Sequence, residues 1–251
     1  MDFLHFQSID IVLALLRFVG AALYTSVGHA GASAYIALMA LFGLPVAVMR
    51  PTALVLNIIV SSVTSWRFTR AGLFRWRTLW PVLVGAIPLA YLGGSIQIPG
   101  HFYRPLVGII LLIAAARLLW KGEFRSNSEI SDIPIHWGIL AGIFIGFLSG
   151  LTATGGGIFL SPLLLIFGWS EARIASGVSA VFILCNSLAG LMGNVASVQS
   201  LPPELPLYVF AVLCGSLVGT TFGIGKLAAK GVLRALGLVL LVAGVKLIGV
   251  Y

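Results

Sequence analysis

Two runs of small residues interrupt long apolar stretches of this chain, at positions 28–33 (GHAGAS) and 152–157 (TATGGG). They occupy matching places, with Gly31 and Gly156 125 positions apart. Glycine disfavours a helix by about 1 kcal/mol relative to alanine, so each run predicts a helix break. At membrane depth, the freed backbone is tolerated only where it is buried in protein or lines a cavity. The two breaks therefore predict a shared internal site.

The composition indicates that these stretches lie in a membrane. Hydrophobic residues make up 59% of the 251 residues and charged residues only 9%. Several apolar segments approach the roughly 20 residues that span a bilayer. The net charge of +8 does not indicate nucleic-acid binding, because the basic residues lie in short loops between apolar segments. We therefore expect an all-α polytopic protein in the lipid bilayer. The predicted segments are 9–28, 30–49, 51–66, 79–98, 104–120, 136–152, 156–169, 174–193, 206–225 and 232–250.

The ten segments form two sets of five. The first repeat covers 1–120 and the second covers 136–251, and the only extended polar stretch, 121–135, is the predicted linker between them. The two repeats align without gaps at an offset of 125 over most of their length, and a four-residue gap is needed near the end. Shared identities together with equal segment spacing predict an internal duplication.

The distribution of arginine predicts how the two repeats are oriented. The loop at 67–78 carries four arginines and should be cytoplasmic, whereas its counterpart at 194–205 carries Glu204 and no basic residue, and should lie outside. Equivalent loops on opposite sides indicate inverted repeats, whose broken or re-entrant helices meet near the membrane midplane. Five full spans in each repeat satisfy this parity. Three spans plus a re-entrant hairpin made from the first two segments satisfy it equally.

The second break is the stronger candidate for a binding site. Thr152 and Thr154 supply hydroxyl groups, and Gly155, Gly156 and Gly157 expose backbone N–H groups at the start of a helix. Helix N-termini attract anions through free N–H groups and through the helix dipole. The alternative is close helix packing, which small residues also favour in membranes.

The first break offers fewer candidate residues: Gly28, His29, Gly31 and Ser33. His29 could donate a hydrogen bond to an anion, or change its charge during a transport cycle, because histidine titrates near neutral pH. The alternative is a structural histidine whose hydrogen bonds are satisfied within the fold. Coupling to protons is compatible with the first interpretation.

Polar stripes run along the third segment of each repeat. Asn57 and Ser61 are one turn apart and share a helix face, and Ser179 and Asn186 share a face of the equivalent segment. We consider them candidate donors to a substrate. The alternative is hydrogen bonding to neighbouring membrane helices.

The charged residues favour an anion as the substrate. No Asp or Glu lies in the middle of a segment, where a cation transporter usually carries one. Arg17 is the charge within a segment, and it either belongs to an anion site or extends to the interface. No nucleophile–base–acid set, metal-ligand cluster or phosphate loop is present in the sequence. We therefore predict no catalytic residues, no metal and no cofactor.

Residues 146–157 (GFLSGLTATGGG), followed by SPLL at 161–164, resemble the glycine-rich element of the sulfite exporter TauE/SafE family. In the first repeat the element is degenerate. The resemblance implies a secondary transporter that exports a small sulfur-containing anion, such as sulfite, thiosulfate or an organosulfonate, across the bacterial inner membrane. The first alternative is a passive anion channel. The second is a non-transporting membrane subunit or an intramembrane enzyme. A homo-oligomer is compatible with the sequence.

Overall fold

The structure, a computed structural model, describes residues 8–119, 131–225 and 230–249. These residues form ten α-helices and one short 3-10 helix, Val195–Ser200, without β-strands, so the all-α class is confirmed. Most of the predicted linker at 121–135 lies outside the described residues. The helices are α1 Ser8–Thr25, α2 Ala32–Leu41, α3 Val46–Arg70, α4 Trp76–Ser95, α5 Gly100–Leu119, α6 Ile135–Thr152, α7 Gly157–Ile166, α8 Ala172–Gly193, α9 Leu205–Gly225 and α10 Lys230–Gly249.

Six of the described helices, α1, α3, α4, α6, α8 and α9, are long and apolar enough to cross a membrane. By contrast, α2 and α7 have ten residues each. At 1.5 Å per residue they are about 15 Å long, half of a hydrocarbon core of about 30 Å. The second segment of each repeat is therefore too short to cross the membrane as a helix. The first segment of the hairpin alternative, α1, is long enough to cross a membrane, and how α1 and α2 lie in the bilayer stays a prediction.

The predicted segment 30–49 was too long, because α2 ends at Leu41. Gly43 adopts a φ of +77°, a left-handed conformation that terminates helices and that glycine adopts readily. Pro45 follows two residues later and precedes the start of α3. Local turn chemistry thus divides one apolar run into a short helix and a long one.

The most extensive helix pairs are preserved when each helix of one repeat is exchanged with its counterpart in the other repeat. Helix α4 packs along α6, and its counterpart α9 packs along α1. Helix α4 also packs on α8 as α9 packs on α3, while α3 with α8 and α5 with α10 form pairs of counterparts. The main contacts of α4, α6, α1 and α9 therefore all cross between the repeats.

Backbone conformations recur at the same spacing. Six of the eight described residues with positive φ fall into three pairs 125 positions apart: Gly28 with Ala153, Gly31 with Gly156, and Gly43 with Gly168. The spacing changes after α8, because α4 begins at residue 76 and α9 at residue 205. The alignment gap therefore lies in the connection between α8 and α9, which contains the 3-10 helix, and earlier than the sequence suggested.

Glycine allows α4 and α6 to approach closely. The face of α6 that meets α4 carries a glycine at every fourth position, Gly138, Gly142, Gly146 and Gly150. A Cβ atom at Gly146 would overlap the carbonyl oxygen of Ala86. Small residues favour such contacts in membranes, where helices gain little from the hydrophobic effect. The glycines of α6 therefore serve packing between the repeats.

Candidate functional site

The two short helices begin with the same geometry. Each is preceded by a glycine in the left-handed region, Gly31 with a φ of +101° and Gly156 with a φ of +78°. Neither N-terminus has a capping hydrogen bond from the side chain of its N-cap residue. At the other end of α2, the ammonium of Lys246 donates to the carbonyl oxygen of Leu41 at 2.6 Å. A cation at the C-terminus complements the dipole, whose positive end lies at the break.

The two breaks meet at a small cavity. Both repeats contribute to it, and the starts of α2 and α7 form part of its wall. Among the residues that the structure describes, those around the cavity include no carboxylate, Lys or Arg. The lining residues are Tyr24, His29, Ala30, Gly31, Ala32, Ser33 and Asn57 from the first repeat, and Thr154, Gly157, Ile158 and Ile183 from the second. Two helix N-termini and several neutral polar groups therefore surround one internal space.

His29 joins the two repeats at this cavity. Its Nδ1 atom lies 3.0 Å from the carbonyl oxygen of Val27, and its Nε2 atom lies 3.0 Å from the carbonyl oxygen of Gly157. The hydroxyl of Ser161 is 3.1 Å from Nε2 and 2.7 Å from the hydroxyl of Ser179. The ring therefore contacts the loop before α2, the start of α7 and, through Ser161, helix α8.

Asn57 holds the start of α2. Its Oδ1 atom accepts a hydrogen bond from the backbone N–H of Ala32 at 3.1 Å, and its Nδ2 atom donates to the hydroxyl of Ser187 at 3.3 Å. The side chain is fully buried. Ser61, by contrast, donates to the carbonyl oxygen of Asn57 in its own helix. Asn57 thus connects α2, α3 and α8.

Several glycines of the breaks serve packing. A Cβ atom at Gly28 would overlap the backbone of Ser176 in α8, so this glycine allows the first break to lie against that helix. A Cβ atom at Gly156 would come within 2.9 Å of side-chain atoms of Ile145 and Phe182. Gly155 is likewise enclosed, and a Cβ atom there would overlap the amide of Asn57. These three glycines therefore stand behind the cavity wall.

Thr152 and Asn186 of the second repeat also lie behind the wall. The hydroxyl of Thr152 donates to the carbonyl oxygen of Leu148 and lies 3.0 Å from the hydroxyl of Thr154. Asn186 donates from Nδ2 to the carbonyl oxygen of Gly155 at 3.4 Å. Its Oδ1 atom is buried and has no hydrogen-bond partner in the part of the chain that the structure describes. Of this group, Thr154 faces the cavity.

Arg17 is enclosed by the protein rather than exposed at its surface. The residue is completely buried, and its guanidinium carbon lies 3.6 Å from the centre of the Tyr208 ring. Its nitrogen atoms have no hydrogen-bond partner among the described residues. The hydroxyl of Tyr208 donates instead to Asp10 at 3.2 Å. Arg17 does not line the cavity and forms a separate buried cation between α1 and α9.

Sequence reasoning missed three polar residues at the site, Tyr24, Ser161 and Ser187. The hydroxyl of Tyr24 lies 2.8 Å from the hydroxyl of Ser33. Ser161 could have been found, because it lies one helical turn after Gly157 and shares its face. Tyr24 and Ser187 lie within apolar helical segments, where nothing in the sequence indicates that they belong to the site.

Comparisons with known proteins agree with this architecture. The family described as sulfite exporter TauE/SafE matches residues 13–247. The probable membrane transporter protein y4hK of Sinorhizobium fredii is 38% identical over 242 residues, which cover 95% of this chain and 98% of that protein. The probable membrane transporter protein MJ0441 of Methanocaldococcus jannaschii is 26% identical over 151 residues, covering 58% of this chain and 55% of that protein. The chain is therefore a multi-pass membrane protein that belongs to the sulfite exporter TauE/SafE family of transporters.

Proposed function

We propose that the protein is a secondary transporter that exports a small sulfur-containing anion, such as sulfite, thiosulfate or an organosulfonate, across the bacterial cytoplasmic membrane. The observation that carries this proposal is the cavity whose wall includes the starts of two short helices, one from each repeat. Their N–H groups and dipoles favour negative charge. The described residues that line the cavity include no carboxylate, which would repel an anion. The family name supports a sulfur oxyanion.

The test is transport by purified protein in proteoliposomes. Labelled thiosulfate, sulfite, taurine, sulfoacetate and sulfate are compared as substrates. We expect saturable uptake that unlabelled substrate on the opposite side accelerates, because a carrier returns faster when it is loaded. Flux that unlabelled substrate does not accelerate would identify a passive channel. No flux of any of these anions would reject the proposed function.

We further propose that the repeats are inverted, related by an axis in the membrane plane. The exchange of helix pairs between the repeats supports a twofold relation, and the arginine contrast between the loops supports the inversion. We expect cysteines at Ala71 and Gln199, both exposed, to react with an impermeant maleimide from the cytoplasm and from outside, respectively. The background is a variant in which Cys185 and Cys214 are replaced by serine. Labelling of both sites from one side would contradict the inversion.

Arg17 is proposed to raise the positive potential within the transporter. Burying a guanidinium whose nitrogen atoms have no hydrogen-bond partner among the described residues is unfavourable, so Arg17→Met should leave the midpoint of thermal unfolding unchanged or raise it. Anion flux should fall about tenfold, which corresponds to about 1.4 kcal/mol of lost electrostatic attraction. Arg17→Lys keeps the charge and is the control. Normal flux in Arg17→Met would show that the cation plays no part in transport.

A further inference from the structure

Arg50 is a buried cation that joins the ends of two helices. It lies in the second turn of α3, and its side chain is 6% exposed. Its guanidinium donates to the carbonyl oxygens of Gly94 and Ile96 at the end of α4, at 3.3 and 3.0 Å, and to that of Gly150 in the last turn of α6, at 3.4 Å. The carbonyl groups at a helix C-terminus lack intrahelical partners and carry the negative end of the dipole. Two helix ends, one from each repeat, therefore compensate the charge of Arg50.

Tyr103 of α5 binds the same end of α6. Its hydroxyl donates to the carbonyl oxygen of Thr152, the last residue of α6, at 3.0 Å. The centre of its ring lies 5.8 Å from the guanidinium carbon of Arg50, and the side chain is completely buried. Arg50 and Tyr103 belong to the first repeat, whereas α6 belongs to the second. Side chains of the other repeat thus hold the end of α6 that leads into the second break.

The first break is closed by its own backbone. The N–H groups of Val27 and His29 both donate to the carbonyl oxygen of Tyr24 in the last turn of α1. At the matching place of the second repeat, the N–H group of Ala153 donates to the carbonyl oxygen of Ser149. The last carbonyl groups of α6 bind side chains of the first repeat in addition. The second break therefore depends more on side chains from outside its own repeat.

The counterparts of Arg50 and Tyr103 cannot hold the first break in the same way. Ala175 lies 125 positions after Arg50, and Val232 aligns with Tyr103 once the four-residue gap is included. Neither of these side chains carries a hydrogen-bond donor. The pair of donors at the end of α6 is therefore a feature of one break and not of the duplication.

We propose that Arg50 and Tyr103 are positioning residues for the transported anion, because they hold the end of α6 so that the second break presents Thr154 and the start of α7 to the cavity. This inference rests on the proposed transport of an anion through that cavity. The connection is short, since the hydroxyl of Thr152 lies 3.0 Å from that of Thr154, and Thr154 lines the cavity. Arg50 and Tyr103 are not among the described residues that line it, so both act through α6.

The first experiment measures thiosulfate counterflow by the full-length protein in proteoliposomes. Tyr103→Phe removes only the hydroxyl and leaves the carbonyl group of Thr152 without this donor. We expect the half-saturating concentration of thiosulfate to rise about five- to tenfold, with little change in the maximal rate or the melting temperature. Tyr91→Phe, at an exposed tyrosine of α4, is the matched control and should keep the wild-type values. An unchanged half-saturating concentration in Tyr103→Phe would overturn the inference.

A lysine at position 50 separates geometry from charge. Arg50→Lys keeps the cation, but an ammonium group does not reproduce the planar fork of donors that reaches carbonyl groups of two helices. We therefore expect Arg50→Lys to show the same rise in the half-saturating concentration as Tyr103→Phe. Wild-type values in Arg50→Lys would mean that Arg50 acts through its charge alone, and would overturn its role in positioning α6.

A second experiment needs no substrate and so separates this inference from the proposed function. Thr154→Cys is made in a background in which Cys185 and Cys214 are replaced by serine, and its reaction with a maleimide is timed in detergent. Thr154 is buried, so the reaction requires local opening of the second break. Adding Tyr103→Phe should raise the rate about five- to tenfold, and adding Tyr91→Phe should not. Equal rates would overturn the inference, whereas failure of the wild type to transport any of the anions would count against the proposed function.

Discussion

The Asn57→Ala variant is expected to lose at least nine-tenths of the anion flux. The substitution removes two buried hydrogen bonds, one to Ala32 at the start of α2 and one to Ser187 of α8. It also leaves the N–H group of Ala32 without its partner, which costs about 1–3 kcal/mol when the group is buried. A free-energy cost of 1.4 kcal/mol corresponds to a factor of ten. A cost of this size for holding α2 in its binding position is therefore enough for the predicted loss of flux. The measurement is thiosulfate counterflow in proteoliposomes.

The control for Asn57 lies on the same helix. Ser62 is exposed, and its hydroxyl donates to the carbonyl oxygen of Ile58 in α3 itself. Ser62→Ala should therefore keep wild-type flux and thermal stability. If Asn57→Ala also transports normally at an unchanged melting temperature, the start of α2 does not depend on Asn57, and the amide has no role in the site.

Replacing Gly146 with leucine should prevent the two repeats from assembling. A Cβ atom at this position would overlap the carbonyl oxygen of Ala86, and a backbone atom cannot move aside as a flexible side chain can. Overpacking of a well-packed interface costs typically about 1–3 kcal/mol and more where backbone must shift. We expect loss of the monodisperse peak in detergent chromatography. Gly146→Ala should show the same defect in milder form, as a melting temperature lower by several degrees.

Gly190 provides the matched control because it is also a buried glycine in a membrane helix. A Cβ atom there would meet its nearest neighbours at 3.6 Å, which is ordinary van der Waals contact. Gly190→Ala should be neutral or stabilising by up to about 1 kcal/mol, since alanine is the better helix former. Equal melting temperatures for Gly146→Ala and Gly190→Ala would show that the close approach of α4 and α6 is not required.

The fold was predictable where the sequence contains strong local signals. Apolar runs of about 20 residues located the long helices, and the glycines at 28–31 and 155–157 located the breaks. The length of α2 was not predicted, because the residues after it are as apolar as the helix itself and only the turn at Gly43 ends it. The sequence also predicted that the site lies at the two helix breaks. Which side chains face the cavity depends on how helices from both repeats pack, and a single sequence does not show this.

Asn57 and Asn186 illustrate this limit. Both are buried asparagines in equivalent helices, and the sequence made them equal candidates. Asn57 lines the cavity and binds the start of α2, whereas Asn186 bonds to Gly155 behind the wall. They differ because Asn186 aligns with Ser61, one turn further along the helix than Asn57. One turn changes the height of the side chain by about 5.4 Å, which is enough to move it out of the cavity.

The pairing of α1 with α9 has a consequence for how the chain is made. Membrane helices enter the bilayer in the order of their synthesis, and α1 precedes α9 in the chain. The guanidinium of Arg17 in α1 can stack on Tyr208 only after Tyr208 has been synthesised, almost 200 residues later. An arginine at the centre of a helix disfavours insertion by about 2.5–3.5 kcal/mol. Helix α1 is therefore expected to reach its final position only after α9 has entered the bilayer, so that its packing is completed long after its own synthesis.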